Sequence, residues 1–304
     1  MNRTFEKWAT ILLLLYNVAN TLFIGFSPAT TVISLLILIL LWTVPAARRF
    51  ILAFSPMLIF GVAYDFMRIY PNYMANPIDT IGIYTLEGRL FGLSTLEGTI
   101  IPSEYFHLHH WAWLDILTGI FYLLWVPLPL AYAMRLYFTH RRTACFRFLC
   151  GFLFVNLVGF AGYYIHPAAP PWYVMGHGFD PILGTPGSVA GFARFDELLG
   201  IPVFHSIYAK NSNVFAAVPS LHAAYNLIAL YYALRNRRDP WWTLAIAICT
   251  VGVWFSAVYS GHHYIIDVIL GILTTIVSLF IFERILLPLP FFQRAGRSIR
   301  RLLG

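Results

Sequence analysis

Eight apolar stretches, each near the ~20 residues that a helix needs to cross the hydrocarbon of a bilayer, run at roughly residues 8–26, 29–45, 50–67, 112–134, 146–165, 214–234, 241–259 and 264–283. The pattern predicts an all-α polytopic membrane protein with about eight transmembrane helices. Polar residues between the stretches form short clusters, except in two long segments, 69–110 and 167–213, whose aromatics, prolines and acids are those of ordered structure rather than of a flexible linker. In the first, the weakly apolar run Ile78 to Ile101 is interrupted by Gly82, Gly88, Gly92 and Gly98. Too polar to span, it predicts interfacial or re-entrant helices along the membrane surface. The second opens Pro167-Ala168-Ala169-Pro170-Pro171-Trp172-Tyr173, a rigid exit from the fifth stretch with aromatics suited to the interface.

Composition agrees with that pattern: 59% of residues are hydrophobic and 11% charged, and the mean hydropathy is +0.71, which excludes an ordinary soluble domain. The net charge of +7 is an orientation signal. With the N-terminus in the cytosol, sixteen of the twenty Lys and Arg residues fall on the cytosolic side, and only Arg68, Arg89, Arg194 and Lys210 fall outside. The basic tail from Gln293 to Arg301 then lies against anionic lipid, and no nucleic-acid partner is needed to explain the charge. The first stretch has no convincing cleavage site and runs directly into the second, so it is expected to be a retained anchor. Cys145, Cys150 and Cys249 lie in or beside apolar stretches without metal-ligand spacing. His107, His109 and His110 form a histidine run beside Trp111 that reads as interfacial and solvated. No metal or cofactor is expected.

Chemistry concentrates in two runs, Ala217-Val218-Pro219-Ser220-Leu221-His222 and Ser260-Gly261-His262-His263-Tyr264-Ile265-Ile266-Asp267. Counting spans puts His166, His222, His263 and Asp267 all at the non-cytosolic interface. Pro219 suits a first helical turn and Ser220 a helix cap, from which His222 projects at an N-terminus that favours phosphate oxygens. His263 and Asp267, four apart, fall on one helical face, the spacing an acid needs to hold an imidazole in one tautomer. A nucleophilic histidine, its acid and a second histidine for proton transfer are sufficient for a phosphohistidine mechanism. Ionisable groups inside a membrane are costly enough to be functional by default.

These residues resemble the type 2 phosphatidic acid phosphatase superfamily. Its second motif is similar to Pro219-Ser220-Leu221-His222, and its third ends in a pair matched by His263 and Asp267. The closer likeness is to its inositol phosphorylceramide synthase branch, through Pro170-Pro171-Trp172, Pro219-Ser220-Leu221-His222-Ala223, His262-His263-Tyr264-Ile265-Ile266-Asp267 and Tyr64-Asp65-Phe66-Met67-Arg68. The resemblance implies a six-helix catalytic core over residues 49–285, an added transmembrane hairpin over 1–48 and a basic cytosolic tail over 286–304. It implies catalysis by His222, His263 and Asp267, and substrate contacts from His166, Ser220, His262, Tyr264 and Arg68.

The chain departs from the superfamily's phosphatases at three cations. Their first motif is Lys, six residues, then Arg-Pro, and their third begins Ser-Arg; here Gly159, His166-Pro167 and Ser256-Ala257 stand instead. A phosphodiester carries less charge than a phosphomonoester and needs fewer cations, so the losses favour a diester. His166, His262 and Arg68, joined by Lys210, are the outer-face groups that could replace part of that charge; for Lys210 and Arg194 a solvated loop charge is at least as good a reading. The expected partners are a glycerophospholipid donor of phosphoinositol and a ceramide-type acceptor, at a periplasmic or lumenal site, with a bacterial inner membrane favoured by the short termini, the short remaining loops and the lack of an outer-face Asn-x-Ser/Thr sequon. Two other readings remain open: a lipid phosphatase or polyprenyl pyrophosphatase using the same residues with water as acceptor, and a non-catalytic lipid transporter.

Overall fold

The structure, a computed structural model, describes residues 3–96, 98–208, 213–237 and 239–304. It is mainly helical and falls into two compact units, one of residues Met1–Tyr70, Ala133–Leu153 and Glu283–Gly304, the other of Pro71–Tyr132 and Phe154–Phe282.

The first unit contains α1 (Thr4–Phe23), α2 (Pro28–Thr43) and α3 (Pro45–Phe66). Ser27 starts α2 by accepting the Thr30 N–H, and proline at the first position of both α2 and α3 supplies the pre-set φ that begins a helix. Two buried polar side chains here, Asn20 and Glu6, are paired, as a low-dielectric setting demands. Asn20 and Tyr16 donate to Asp65 at 2.8 and 3.3 Å, and Arg48 lies 3.6 Å from Glu6.

The second unit holds the segments on which the chemistry depends. In chain order they are α4 (Gly82–Phe91), strands β1 (Leu93–Thr95) and β2 (Gly98–Ile100), α5 (Pro102–Leu108) and α6 (Ala112–Leu123). The next helices, α7 (Pro127–Phe138) and α8 (Arg142–Ile165), cross the unit boundary. There follow α9 (Pro171–His177), α10 (Ala193–Leu199), α11 (Val203–Tyr208), α12 (Leu221–Asn236), α13 (Pro240–Tyr259) and α14 (Ile265–Phe280). The last helix, α15 (Pro290–Leu303), belongs to the first unit.

Four helices among the described residues are long and apolar enough to cross a membrane: Pro45–Phe66, Arg142–Ile165, Pro240–Tyr259 and Ile265–Leu286, with α6 and α7, bent by 43°, a fifth if taken together. The expected count of eight is therefore not reproduced. The α1 helix carries Glu6, Lys7, Asn17 and Asn20, while α2 and α12 have 16 residues each, a rise of about 24 Å against the ~30 Å of a hydrocarbon core. The apolar run that was expected to begin a span at residue 214 is not helical until Leu221. The glycine-broken segment of the first long loop also differs from expectation. It is one helix, α4, followed by an antiparallel hairpin in which Leu93 faces Ile100.

Backbone pairing ties the two long loops to the approach to α12. Asp79 pairs with Ala168, and Ala168 with Ala216, through Asp79 N to Pro167 O at 2.8 Å and Ala168 N to Phe215 O at 3.0 Å. Buried Asn72 reinforces this by donating to the carbonyls of Tyr163 and Phe215 at 2.9 and 2.8 Å. Beneath the loops α12 packs on α13 and α14, and α13 on α6. The core there joins Tyr122, Phe192, Phe195 and Phe204 to Ala223, Val253, Ala257 and Val268. Gly271 lets the helices close: a side chain on it would run into the Ser220 carbonyl.

Candidate active site

Two helix starts meet at this close approach. Ser220 caps α12, its Oγ accepting the Ala223 N–H at 3.3 Å, and its own N–H donates to the Asp267 carbonyl at 3.0 Å. Pro219 thus lies just before the cap rather than in the first turn. His222, the second residue of α12, is thereby brought to the head of α14. Its Nδ1 is 2.9 Å from Nε2 of His263, whose Nδ1 is 3.4 Å from Oδ2 of Asp267.

His263 does not stand on α14, as four-residue spacing predicts, but two residues before it, because the helix begins at Ile265. The same carboxylate oxygen of Asp267 accepts the Tyr264 N–H at 3.0 Å. This is the reach of a third-position acid back to its helix cap, and it turns the chain so that the preceding imidazole sits over the carboxylate. The N–H groups of His262 and His263 both donate to the Ala257 carbonyl at 3.0 Å, which anchors the turn to α13.

A buried carboxylate can only accept, so the His263 proton belongs on Nδ1 and the lone pair on Nε2. Burial pushes the His263 imidazole down to about 3, against a hydrogen bond to the Ala217 carbonyl that favours its charged form. The ring is therefore neutral and nucleophilic at any physiological pH. At rest that lone pair accepts from His222. The His222 ring lies against Tyr122 and Trp125, centroids 5.1 and 4.3 Å away.

The other predicted residues are placed as follows. His262 uses both nitrogens, Nδ1 with Ser260 Oγ at 2.9 Å and Nε2 with the Ser188 carbonyl at 3.2 Å, and stacks on Phe192 at 5.1 Å. Burial and the neighbouring histidines hold it well below the usual histidine range, so it fastens the 188–192 segment as a neutral ring. Tyr264 is buried with Ile83 and Ala168, its hydroxyl without a hydrogen-bond partner. His166 keeps an exposed side chain and lies 3.2 Å from Asp79. Arg68 is in the first unit, 3.7 Å from Asp65. Lys210 lies outside the described residues.

Two polar clusters were not foreseen. Asp115 is buried and gathers Arg194 at 2.7 Å, the Tyr259 hydroxyl at 2.9 Å and His110 at 3.4 Å, so Arg194 is paired rather than a solvated loop charge. Glu87 of α4 is fully buried and accepts the N–H groups of Ile265 and Ile266 at 2.8 and 3.1 Å. The available sequence signal was a carboxylate four residues after Ile83, on the apolar side of a short helix. Among the described residues, no three His, Cys, Asp or Glu side chains converge as metal ligands would.

The family pattern described as PAP2 superfamily matches residues 100–281, which includes His222, His263 and Asp267. The chain belongs to the PAP2 superfamily. This PAP2 protein is 48% identical over 284 residues to the phosphoinositol dihydroceramide synthase of Bacteroides thetaiotaomicron, covering 93% of each chain. It is thus an inositol phosphorylceramide synthase-like transferase of sphingolipid metabolism and a multi-pass membrane protein. It is 28% identical to the inositol phosphorylceramide synthase of Candida albicans, over 79% of this chain and 49% of that one. The catalytic subunit of inositol phosphorylceramide synthase from Saccharomyces cerevisiae is also 28% identical, over 80% of this chain and 58% of its own. The PAP2 chain thus spans nearly all of the bacterial relative and about half of the fungal ones. No solved structure matches it.

Proposed function

We propose that the protein transfers phosphoinositol from phosphatidylinositol to the primary hydroxyl of ceramide or dihydroceramide, releasing diacylglycerol, through a phosphohistidine at His263. The observation that carries this reading is the short line from His222 through His263 to Asp267 at two abutting helix starts. The bacterial relative's name supplies the substrate class.

In the first step the phosphodiester enters between the two imidazoles. Nε2 of His263 attacks phosphorus, the bond to the glycerol oxygen breaks, and His222, protonated beside the bound anion, gives that oxygen its proton. Asp267 stabilises the positive charge that grows on the phosphorylated ring. In the second step neutral His222 takes the proton of the ceramide hydroxyl, the oxygen attacks phosphorus, and the P–N bond breaks to restore His263. Phosphatidylinositol and ceramide become inositol phosphorylceramide and diacylglycerol, with no net proton change. With α6 and α7 counted as one crossing and the short α12 as another, a positive-inside orientation puts this site at the periplasmic or lumenal interface and both termini in the cytosol. The lipid tails stay in the bilayer while the long loops limit water. His166, half exposed beside Asp79, is the predicted binding residue best disposed to meet a head group.

The test is mass spectrometry of lipids after incubating purified protein with phosphatidylinositol and a short-chain fluorescent ceramide, with His263→Ala alongside. Inositol phosphorylceramide and diacylglycerol that disappear in the variant are expected. Free inositol phosphate with unchanged ceramide would replace this reading with a hydrolase, and no product from either protein would reject it.

A further inference from the structure

Outside the histidine array, the second unit holds a fully buried carboxylate engaged through both of its oxygens, that of Glu87. It comes from α4, nearly 180 residues before its partners in the chain, and has no solvent exposure. The first N–H groups of a helix have no partner within it. At the head of α14 three of them are met by two carboxylates: Tyr264 N by Asp267, and Ile265 N and Ile266 N by the two oxygens of Glu87. Glu87 is therefore an N-terminal cap supplied by a different helix.

The arrangement bears on Asp267 directly. Its Oδ1 is buried without a hydrogen-bond partner, and its Oδ2 alone serves both Tyr264 and His263. Without Glu87, the buried N–H of Ile266 and the partly buried N–H of Ile265 would lack an acceptor, and the Asp267 carboxylate is the nearest group of that kind on its own helix. Recruited to them, it would leave His263 without its orienting partner.

We infer that Glu87 is a positioning residue for the His263–Asp267 pair, holding the start of α14 so that Asp267 remains committed to the nucleophile. The inference rests on the phosphohistidine reading above and adds to it a residue that touches neither lipid. It also carries a pH signature. Burial pushes the Glu87 carboxyl up to about 7, against the two amide hydrogen bonds, with the Asp267 charge adding to the rise. The titratable groups around it are Asp267, Tyr264, and the Tyr84–Glu104 pair, hydrogen-bonded at 2.8 Å. Asp267 in turn faces His263, which is neutral above about pH 3. The charged clamp is half formed near pH 7, complete only well above it, and weakens as pH falls, so activity rises with pH through a limb near 7.

The experiment compares wild type, Glu87→Gln, Glu87→Asp and, as a control on the exposed side of α4, Thr85→Ala, by steady-state kinetics with phosphatidylinositol and ceramide from pH 5 to 9. Thermal unfolding normalises each to folded protein. Glutamine places an N–H against one of the two amides. Glu87→Gln is expected to lower kcat by roughly 10- to 100-fold with both KM values within about threefold, and to lose the limb near pH 7. Glu87→Asp restores the limb at reduced kcat, and Thr85→Ala matches wild type. The inference is overturned if wild type is active and Glu87→Gln keeps its kcat and pH limb, or if the loss lies wholly in KM or in the folded fraction. Should wild type itself make no inositol phosphorylceramide, the proposed function falls and takes this inference with it.

Discussion

Replacing Asp267 with asparagine separates its chemical role from its structural one. The side chain is fully buried, and Oδ2 serves the Tyr264 N–H at 3.0 Å and His263 Nδ1 at 3.4 Å while Oδ1 makes no hydrogen bond. An asparagine oxygen still accepts from Tyr264, so the turn before α14 keeps its cap. What is lost is the negative charge beside the imidazole that, in the proposed mechanism, becomes cationic on phosphorylation. Two unit charges about 4 Å apart interact by about 4 kcal/mol at an effective dielectric of ~20, which corresponds to roughly a 10³-fold fall in kcat. Folding stability changes little, because removal of a buried charge offsets the weaker cap, and Tm is expected to move by no more than about 4 °C. The assay is fluorescent-ceramide turnover at saturating phosphatidylinositol, beside scanning fluorimetry in the same detergent. Asp267→Asn with kcat within about tenfold of wild type would refute the assignment of Asp267 as the partner of the nucleophile.

Two further outcomes follow from packing and pairing. Gly271→Ala sets a methyl group against the Ser220 carbonyl, an overpacking of ~1–3 kcal/mol that drives the heads of α12 and α14 apart; turnover should fall by about tenfold or more, whereas Gly61→Ala, with no neighbouring atom in reach, should match wild type. Arg194→Ala leaves Asp115, 3% exposed, without its shortest partner and should cost about 3–5 kcal/mol, read as a lower Tm; adding Asp115→Asn should recover most of the loss, and a single variant as stable as wild type would show that the pair does not hold that region.

The three residues of the histidine array were legible because polar groups are rare in this chain and two short runs hold all three. Their local geometry was less so. Four-residue spacing between His263 and Asp267 fits one face of a helix, but a cap residue and its third-position acid lie three apart, and Tyr264 and Asp267 satisfy that pattern inside the first. Spacing cannot tell the two apart. Only the hydrogen bond to Tyr264 N shows where α14 starts. Hydropathy likewise ignores the backbone, so the apolar run at 214–218 reads as the start of a span although Ala216 is occupied in pairing with Ala168. His262 read as a phosphate ligand because nothing near it in sequence announces the Ser188 carbonyl. Glu87 escaped notice because its two partners lie at the opposite end of the unit's sequence, and a lone glutamate in a glycine-broken stretch is normally a solvated one.

The bridges at Asp79, Ala168 and Ala216 use main-chain amides and carbonyls, which nearly every amino acid carries in the same form. Loops joined that way can exchange side chains while the histidines beneath stay in register. In evolutionary terms the scaffold divides the risk: mutations can vary the side chains of the paired loops without each trial endangering the histidine array itself.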